Sequence, residues 1–241
     1  MRASIVNVGD ELLAGDVENT NATWLASQLT GRGVEVAEIA VIPDDVDRIA
    51  DTVAGHRDAF DAVLVTGGLG STPDDETVDG IAAALDRPVE RHDRTYDLIE
   101  RTVTGIREEY PDFEFDLDRA ARRPAGSDPI ENEEGIAPGF VCENVYVIPG
   151  IPSEMKATFR QVAGTFEGDV AAETLYSTET ESHLVGVLET VREEFDVAVG
   201  CYPGEDKRIK RIKLRSAERE RLDAAVEWLA DRPQITRDEP E

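Results

Sequence analysis

The chain has 241 residues, room for one large domain or two smaller ones around a substantial core. Its 52 Asp and Glu against 25 Lys and Arg give a formal net charge of −27, which argues against a general nucleic-acid binder, because that needs cations against phosphates. No apolar run approaches a membrane span, the N-terminal "MRASIVNVGDELL" does not read as a secretory signal, and Cys142 and Cys201 have no close cysteine partner in sequence, which excludes a disulfide framework. A cytoplasmic, membrane-free protein is expected. The acidity reads as a solubility adaptation to a salty interior.

Ala3–Gly9 (ASIVNVG) is a short β-branched run that predicts a buried strand ending in glycine. Thr20–Gly33 sets Trp24, Leu25 and Leu29 at helical spacing and closes on glycine. Val34–Ile42 alternates as a strand does. Asp44–His56 carries Val46, Ile49, Ala50 and Val53 on one helix face. Asp61–Gly68 reads as a strand running into a glycine loop, and Asp75–Asp86 as a helix capped by its first Asp. This β-α-β-α-β-α order predicts an α/β fold, a parallel, doubly wound sheet with helices on both faces. Ligands of such sheets sit at the C-terminal ends of the strands.

Further on, Thr95–Tyr110 reads as a helix, and Tyr110–Phe140, rich in Pro, Gly and acids, is expected to lie irregularly over the sheet. Asn144–Val162 reads as a strand, a Pro-Gly turn and a helix with Ser153 as N-cap. Composition shifts near Gly164–Ala171, and a β-α-β-β-α unit follows. Two domains are therefore expected, one over residues 1–170 and a small α+β domain over 171–241. The final "PQITRDEPE" reads as a frayed tail.

Three strand ends carry the candidate chemistry. In "VTGGLGSTPDDET" (Val65–Thr77), free amides of Gly67, Gly68 and Gly70 and a following helix N-terminus favour an anion. The loop is neither a P-loop nor a Rossmann fingerprint, and by its glycines alone a plain tight turn fits as well. Asp75 and Thr77 are hard oxygen donors suited to a divalent cation that shares ligands with phosphates. The alternative for Asp74 and Asp75 is helix capping. In "VGDELLAGDVENTN", Asp10, Glu11, Asn19 and Asn21 suit ribose hydroxyls, metal or water, or else act as turn and cap residues. Asp44 follows the second strand and by itself reads as a cap. Lys156 is the lone lysine of the first domain, a candidate phosphate neutraliser or a solvated helix residue. "DKRIKRIKLR" (Asp206–Arg215) concentrates three of the four lysines and reads as a strand with paired charges or as a phosphate or RNA contact, without the GXXG clamp of KH domains. The three histidines suggest no metal triad.

Taken together, "GDELLAGDVENTN", "VIPDDVDRI", "TGGLGSTPDDET", "NEEGIAPGF" and "PGIPSEM" resemble, in order and spacing, the competence/damage-inducible protein A (CinA) family, whose N-terminal part is a molybdopterin-binding MoaB/Mog-like domain. The resemblance covers residues 1–170, and the tail unit looks like the family's small middle domain. It implies a three-layer α/β/α Mog-like sandwich. It also implies a divalent metal (Mg, Mn or Co) and hydrolysis of a nucleotide diphosphate, ADP-ribose to AMP and ribose 5-phosphate, or FAD in a related domain. Mog relatives instead adenylylate molybdopterin, and a non-catalytic nucleotide-binding module is a third expectation. The residues that match the family's motifs are Asp10, Glu11 and Asn21; Asp44; Gly67, Gly68, Leu69, Gly70, Thr72, Asp75 and Thr77; Asn132, Gly135, Pro138 and Gly139; and Pro149, Gly150, Pro152, Glu154 and Met155. Asp75 with Asp10 or Glu11 is expected to serve catalysis, Asp75 and Asp44 the metal, and Asn21, Gly67, Gly68, Leu69, Gly70, Thr72, Thr77, Asn132, Pro138 and Gly139, with Lys156, the substrate. Ser71 and Pro43 depart from the usual Pro and Gly of CinA proteins. The expected partners are a nucleotide diphosphate or pterin, with no nucleic acid, no membrane and a homo-oligomer. The deamidase activity of longer members is expected to be absent.

Overall fold

A strand whose residues are all buried has no solvent face and belongs inside a sheet with both sides covered. Apart from its exposed first residue, Arg2, the strand β1 (Arg2–Val8) is such a strand: Ala3 through Val8 are buried. The computed structural model describes residues 1–70, 72, 75–204 and 206–240. In it the chain forms two compact units, Met1–Glu167 and Gly168–Glu241.

In the first unit β1 is followed by the one-turn helix α1 (Asp10–Ala14) and by α2 (Thr20–Thr30). Then come β2 (Glu35–Ile42), α3 (Val46–Ala59), β3 (Ala62–Thr66), α4 (Thr77–Ala84), β4 (Val89–Arg91) and α5 (Asp93–Glu109). The remainder is α6 (Leu117–Ala120), β5 (Arg122–Pro124), β6 (Asp128–Ile130), β7 (Gly139–Cys142), β8 (Val145–Ile148) and α7 (Pro152–Val162). Six strands make one sheet in the order β2-β1-β3-β8-β7-β6, and β4 pairs with β5 separately. The β2-β1-β3-β8 part is parallel; β7 and β6 add antiparallel to its edge.

Alternation along the strands divides the core into two layers. Val6, Val8, Val63, Val65 and Val147 pack against Ile49 and Val53 of α3 and Ile81 of α4. Ala3, Ile5, Leu64 and Ile148 pack against Leu25 and Leu29 of α2 and against Met155 and Phe159 of α7. Helices thus cover both faces, giving the expected α/β/α sandwich. A smaller cluster joins Ile99 and Val103 of α5 to Ala120 and Ala121.

Three expectations fail. Tyr110–Phe140 does not lie irregularly over the sheet: it holds α6 and β5, and it supplies β6 and, with Gly139 and Phe140, the start of β7. Ser153 does not cap α7; Ile151 precedes the helix without a side-chain cap, and Pro152 fills the first turn, where its missing N–H costs nothing. The tail is not frayed as a whole, since Ile235 is buried and Thr236 exchanges backbone hydrogen bonds with Tyr176.

The second unit contains β9 (Ala171–Ser177), α8 (Glu181–Phe195), β10 (Ala198–Pro203), β11 (Lys210–Ser216) and α9 (Arg219–Ala230). Its antiparallel sheet runs β10-β11-β9. Leu184, Val191, Leu222 and Leu229 of the two helices pack on Leu175, Ile212 and Leu214. Among the described residues no helix is long and apolar enough to cross a membrane.

Candidate functional site

The parallel pairing sets four strand ends side by side, with Val8 opposite Ile42, Asn7 opposite Thr66 and Thr66 opposite Ile148. The loops leaving these ends enclose a cleft of about 590 Å³, lined among others by Gly9, Glu11, Asn21, Asp44, Gly67–Gly70, Asp75 and Gly150. The strand ends are fixed from below by buried side chains. Asn7 donates to the Thr66 hydroxyl at 2.7 Å and accepts from Asn19 at 3.2 Å, while Asn19 caps α2 by accepting the Ala22 N–H. Asn21 donates to the Gly150 carbonyl at 2.6 Å and so ties the end of β8 to α2. Its side-chain oxygen, Oδ1, is buried without a hydrogen-bond partner among the described residues.

The glycine loop turns sharply because Gly67 and Gly68 have φ of 101° and 62°, the left-handed region that disfavours a side chain. A Cβ on Gly67 would strike the Val8 carbonyl, and one on Gly68 would strike the Thr77 hydroxyl. The expected amide cradle is half committed elsewhere: the Gly67 N–H donates to Ile148 at 3.3 Å and the Gly70 N–H to Asp75 at 2.9 Å. The N–H groups of Gly68 and Leu69 have no acceptor among the described residues. Asp75 does not cap α4. Its Oδ1 accepts from Gly70 and its Oδ2 from the amide and hydroxyl of Thr72, so the carboxylate closes the loop on itself. Glu76 precedes α4, and its carboxylate reaches across to accept the Val46 N–H at the start of α3. Asp74, with Ser71, lies outside the described residues.

The other candidates divide into those at the cleft and those behind it. Glu11 and Asp44 line it, and Asp44 accepts the Asp10 N–H at 3.0 Å. Asp10 contributes that amide, and its exposed side chain is outside the lining. Thr77 is fully buried beneath Gly68, its hydroxyl without a partner among the described residues, so it supports the loop from below. Asn132 is buried and donates to Ala137 and Glu154 at 3.0 and 2.7 Å while accepting the Glu134 N–H. It shapes the turn that presents Ile136 and Ala137 to the cleft. Pro138 and Gly139 are buried behind that turn, and the Pro138 carbonyl accepts from Arg123 at 2.8 Å. Arg123 is 1% exposed, bonds among the described residues only to carbonyls and lies over the Phe140 ring; burial pulls its guanidinium down to about 10. Lys156 is outside the lining, with its ammonium over the Trp24 ring, 5.7 Å from the centroid.

Sequence reasoning missed Phe115, which lines the cleft, and Arg119, whose guanidinium donates to the Thr72 carbonyl at 2.9 Å. Both sit in the stretch whose composition gave no periodic signal. Electrostatically the cleft is one-sided. Its lining residues include the acidic Glu11, Glu18, Asp44, Asp75 and Glu154 and, among the described residues, no Lys, Arg or His. Against them stand the N-terminal ends of α2 and α7, represented in the lining by Thr20 and Pro152. Although the Thr20 and Ala22 N–H groups are already bonded to Glu18 and Asn19 and Pro152 has none, the dipoles of these helix ends favour an anion there. Among the described residues no three His, Cys, Asp or Glu form a ready metal cluster.

Residues 4–167 match the family described as probable molybdopterin binding domain, and residues 169–237 match that of the FAD synthase middle domain. A protein of Archaeoglobus fulgidus is 36% identical over 228 residues, 94% of this chain and 95% of that one. A CinA-like protein of Frankia casuarinae is 40% identical over 168 residues, 66% of this chain and 38% of its own length. Among solved structures, the protein CinA of Thermoplasma acidophilum, described as of unknown function, is similar with a TM-score of 0.61 and 31% identity, covering 69% of this chain and 99% of that one. The chain belongs to the molybdopterin-binding-domain family in its CinA-like form, with a FAD synthase middle-domain module following the cleft-bearing unit.

Proposed function

We propose that the cleft hydrolyses the phosphoanhydride of a nucleotide such as ADP-ribose, giving AMP and ribose 5-phosphate, or of FAD, with a divalent cation. The observation that carries this reading is the charge arrangement of the lining. Five carboxylates without a basic side chain repel a diphosphate, yet free amides and two helix N-termini await one. A bridging cation resolves the conflict. Hard carboxylate oxygens on Asp44 and Asp75 suit Mg²⁺ or a similar ion that takes most of its coordination from water and substrate phosphates, since among the described residues no three acidic side chains converge on one point. Such an ion supplies Lewis acidity and lowers the pKa of a bound water.

The chain's own residues do the rest. Gly68 and Leu69 offer N–H groups to the diphosphate, and Asp75 keeps that loop in shape through Gly70 and Thr72. Asp75 also retains one Oδ1 lone pair for a cation. Glu11 is the carboxylate placed to hold water or a ribose hydroxyl, whereas Asp10 contributes its amide to Asp44. Phe115, Ile136 and Ala137 give the cleft an apolar wall for the flat ring of a nucleotide. In the reaction, water oxygen bonds to one phosphorus, the bridging P–O bond breaks, and the two phosphate monoesters and a proton leave.

The test is AMP release from ADP-ribose and from FAD at high salt with Mg, Mn and Co in turn. Release with at least one pair supports the reading; none with any pair ends it. A second reading, adenylyl transfer to molybdopterin, is favoured by the family matched over residues 4–167. Incubation with ATP and molybdopterin separates the two, since only a transferase makes the adenylylated pterin.

A further inference from the structure

The second unit carries a surface unlike the rest of the protein. Lys207, Arg208, Lys210, Arg211, Lys213 and Arg215 lie within nine residues of a chain whose net charge is −27. On β11 the side chains alternate: Ile212 and Leu214 are fully buried under α8 and α9, while Arg211, Lys213 and Arg215 point to the opposite, open face. Cross-strand register shows what surrounds them. Arg211 lies between Tyr202 and Tyr176, Lys213 between Gly200 and Thr174, and Arg215 between Ala198 and Ala172. All three rows lack a carboxylate. Glu173 belongs to the other face, where it pairs with Arg219 of α9.

The side chains of Arg211, Lys213 and Arg215 make no ion pair or hydrogen bond among the described residues. Neighbouring cations behave differently: Arg208 pairs with Asp206, Arg219 with Asp223, and Arg221 with Glu218. In a chain with 52 acids, a carboxylate-free sheet face is a specific arrangement. The aromatics complete it. Tyr202 is 48% exposed, and its ring lies along the strand over Gly200, where a Cβ would come within 2.6 Å of its hydroxyl. Tyr176 flanks the same arginine from β9, its backbone held by Thr236.

We propose that this open face binds single-stranded nucleic acid, with Arg211, Lys213 and Arg215 on successive phosphates and Tyr202 and Tyr176 stacking bases. Alternate residues of a strand stand about 6.8 Å apart, so the three cations form a track about 14 Å long. A cationic track with flanking aromatics is how single strands are held without sequence readout. The overall charge argues against nucleic acid as a general ligand. At 0.1 M salt, however, charges more than about 10 Å away are largely screened, and the local face decides.

The experiment is fluorescence anisotropy of the full chain with a labelled single-stranded oligo(dT) of about 12 nucleotides, across a salt series. Each phosphate contact contributes about 0.7 to the slope of log K against log salt, so three give a slope of about −2. Arg211→Gln should reduce that slope by about 0.7, and Tyr202→Ala should weaken binding about tenfold with the slope unchanged. The triple variant R211Q/K213Q/R215Q should lose binding while keeping its circular dichroism. Absence of binding by the parent chain overturns the proposal, as does binding indifferent to these substitutions. So does a parent chain whose oligomeric state, rather than nucleic-acid affinity, changes in the triple variant; the face would then meet the acidic surface of a second copy.

Discussion

The carboxylate of Asp75 accepts the N–H of Gly70 at 2.9 Å and holds Thr72 through both its amide and its hydroxyl. The residue that follows the glycine loop is therefore what gives the loop its shape. Asp75 is also one of the five acidic residues that line the cleft. Asp75→Asn keeps the size of the side chain but removes the charge and one of the acceptor atoms. It should lower AMP release from ADP-ribose by at least about 100-fold and cost about 1–2 kcal/mol in denaturant unfolding. Undiminished turnover would remove Asp75 from the chemistry and leave it a loop-holding role alone.

Gly68 combines a φ of 62° with a Cβ direction aimed at the buried Thr77 hydroxyl. Gly68→Ala meets both the backbone penalty and the clash, so it should destabilise the chain by about 2–3 kcal/mol. Thr77→Ala deletes the hydroxyl that the new Cβ would strike; combined with Gly68→Ala it should recover part of that loss. Thermal midpoints of the two single variants and the double variant read the coupling. Simple additivity would show that Gly68 does not pack on Thr77.

Asn132 donates to Glu154 at 2.7 Å. Asn132→Asp puts a second carboxylate there, and the like charge favours a shared proton and raises the folded-state carboxyl pKa. A carboxyl whose folded pKa is raised binds its proton more tightly in the folded state, so stability is highest at low pH and falls as pH rises through that pKa. A protonated Asp replaces only one of the two donors of Asn132, so the variant should show a small deficit near pH 4 that grows by about 2–3 kcal/mol by pH 8. KM for ADP-ribose should rise with the loosened Ile136–Ala137 wall. Unfolding curves at the two pH values decide; a pH-independent deficit would mean that the two side chains do not meet.

Much of the first unit was legible because its strands are buried on both faces. Runs such as Ile5–Val6 and Val63–Val65 have only one way to bury so much branched surface, and their ends place the cleft. What escaped was local and polar. The helix at Asp10–Ala14 is one turn long, too short for periodicity, and it directs the Asp10 side chain outside the lining. Asp75 was read as a cap because caps and loop-closing carboxylates share the same sequence position before a helix. Asn132, Pro138 and Gly139 belong to the site's motifs yet act from behind it, since hydrogen bonding to Ala137 and Arg123 is invisible without the turn. Arg123 sits in "RAARRP" beside Arg122, which meets Asp79 at the surface; nothing in the letters tells the buried guanidinium from the exposed one.

The charge of −27 sets the last expectation. The exposed ion pairs, such as Arg2 with Glu35 or Arg91 with Asp118, offset little of the repulsion, since surface pairs contribute less than about 1 kcal/mol each. Repulsion among the remaining carboxylates acts over about 10 Å at 0.1 M salt and over about 3 Å at 1 M. Added KCl should therefore stabilise the fold even as it weakens those pairs. The repulsion involves many more charges than the pairs do, so the repulsive side prevails. A gain of about 3 kcal/mol corresponds to a thermal midpoint raised by about 10 °C for a chain of this length. Melting curves between 0.1 and 2 M KCl should show that rise, with sodium chloride giving a similar one. A midpoint that is flat or falls with salt would mean that the acidic excess does not strain the fold, and the reading of its acidity as an adaptation to salt would go with it.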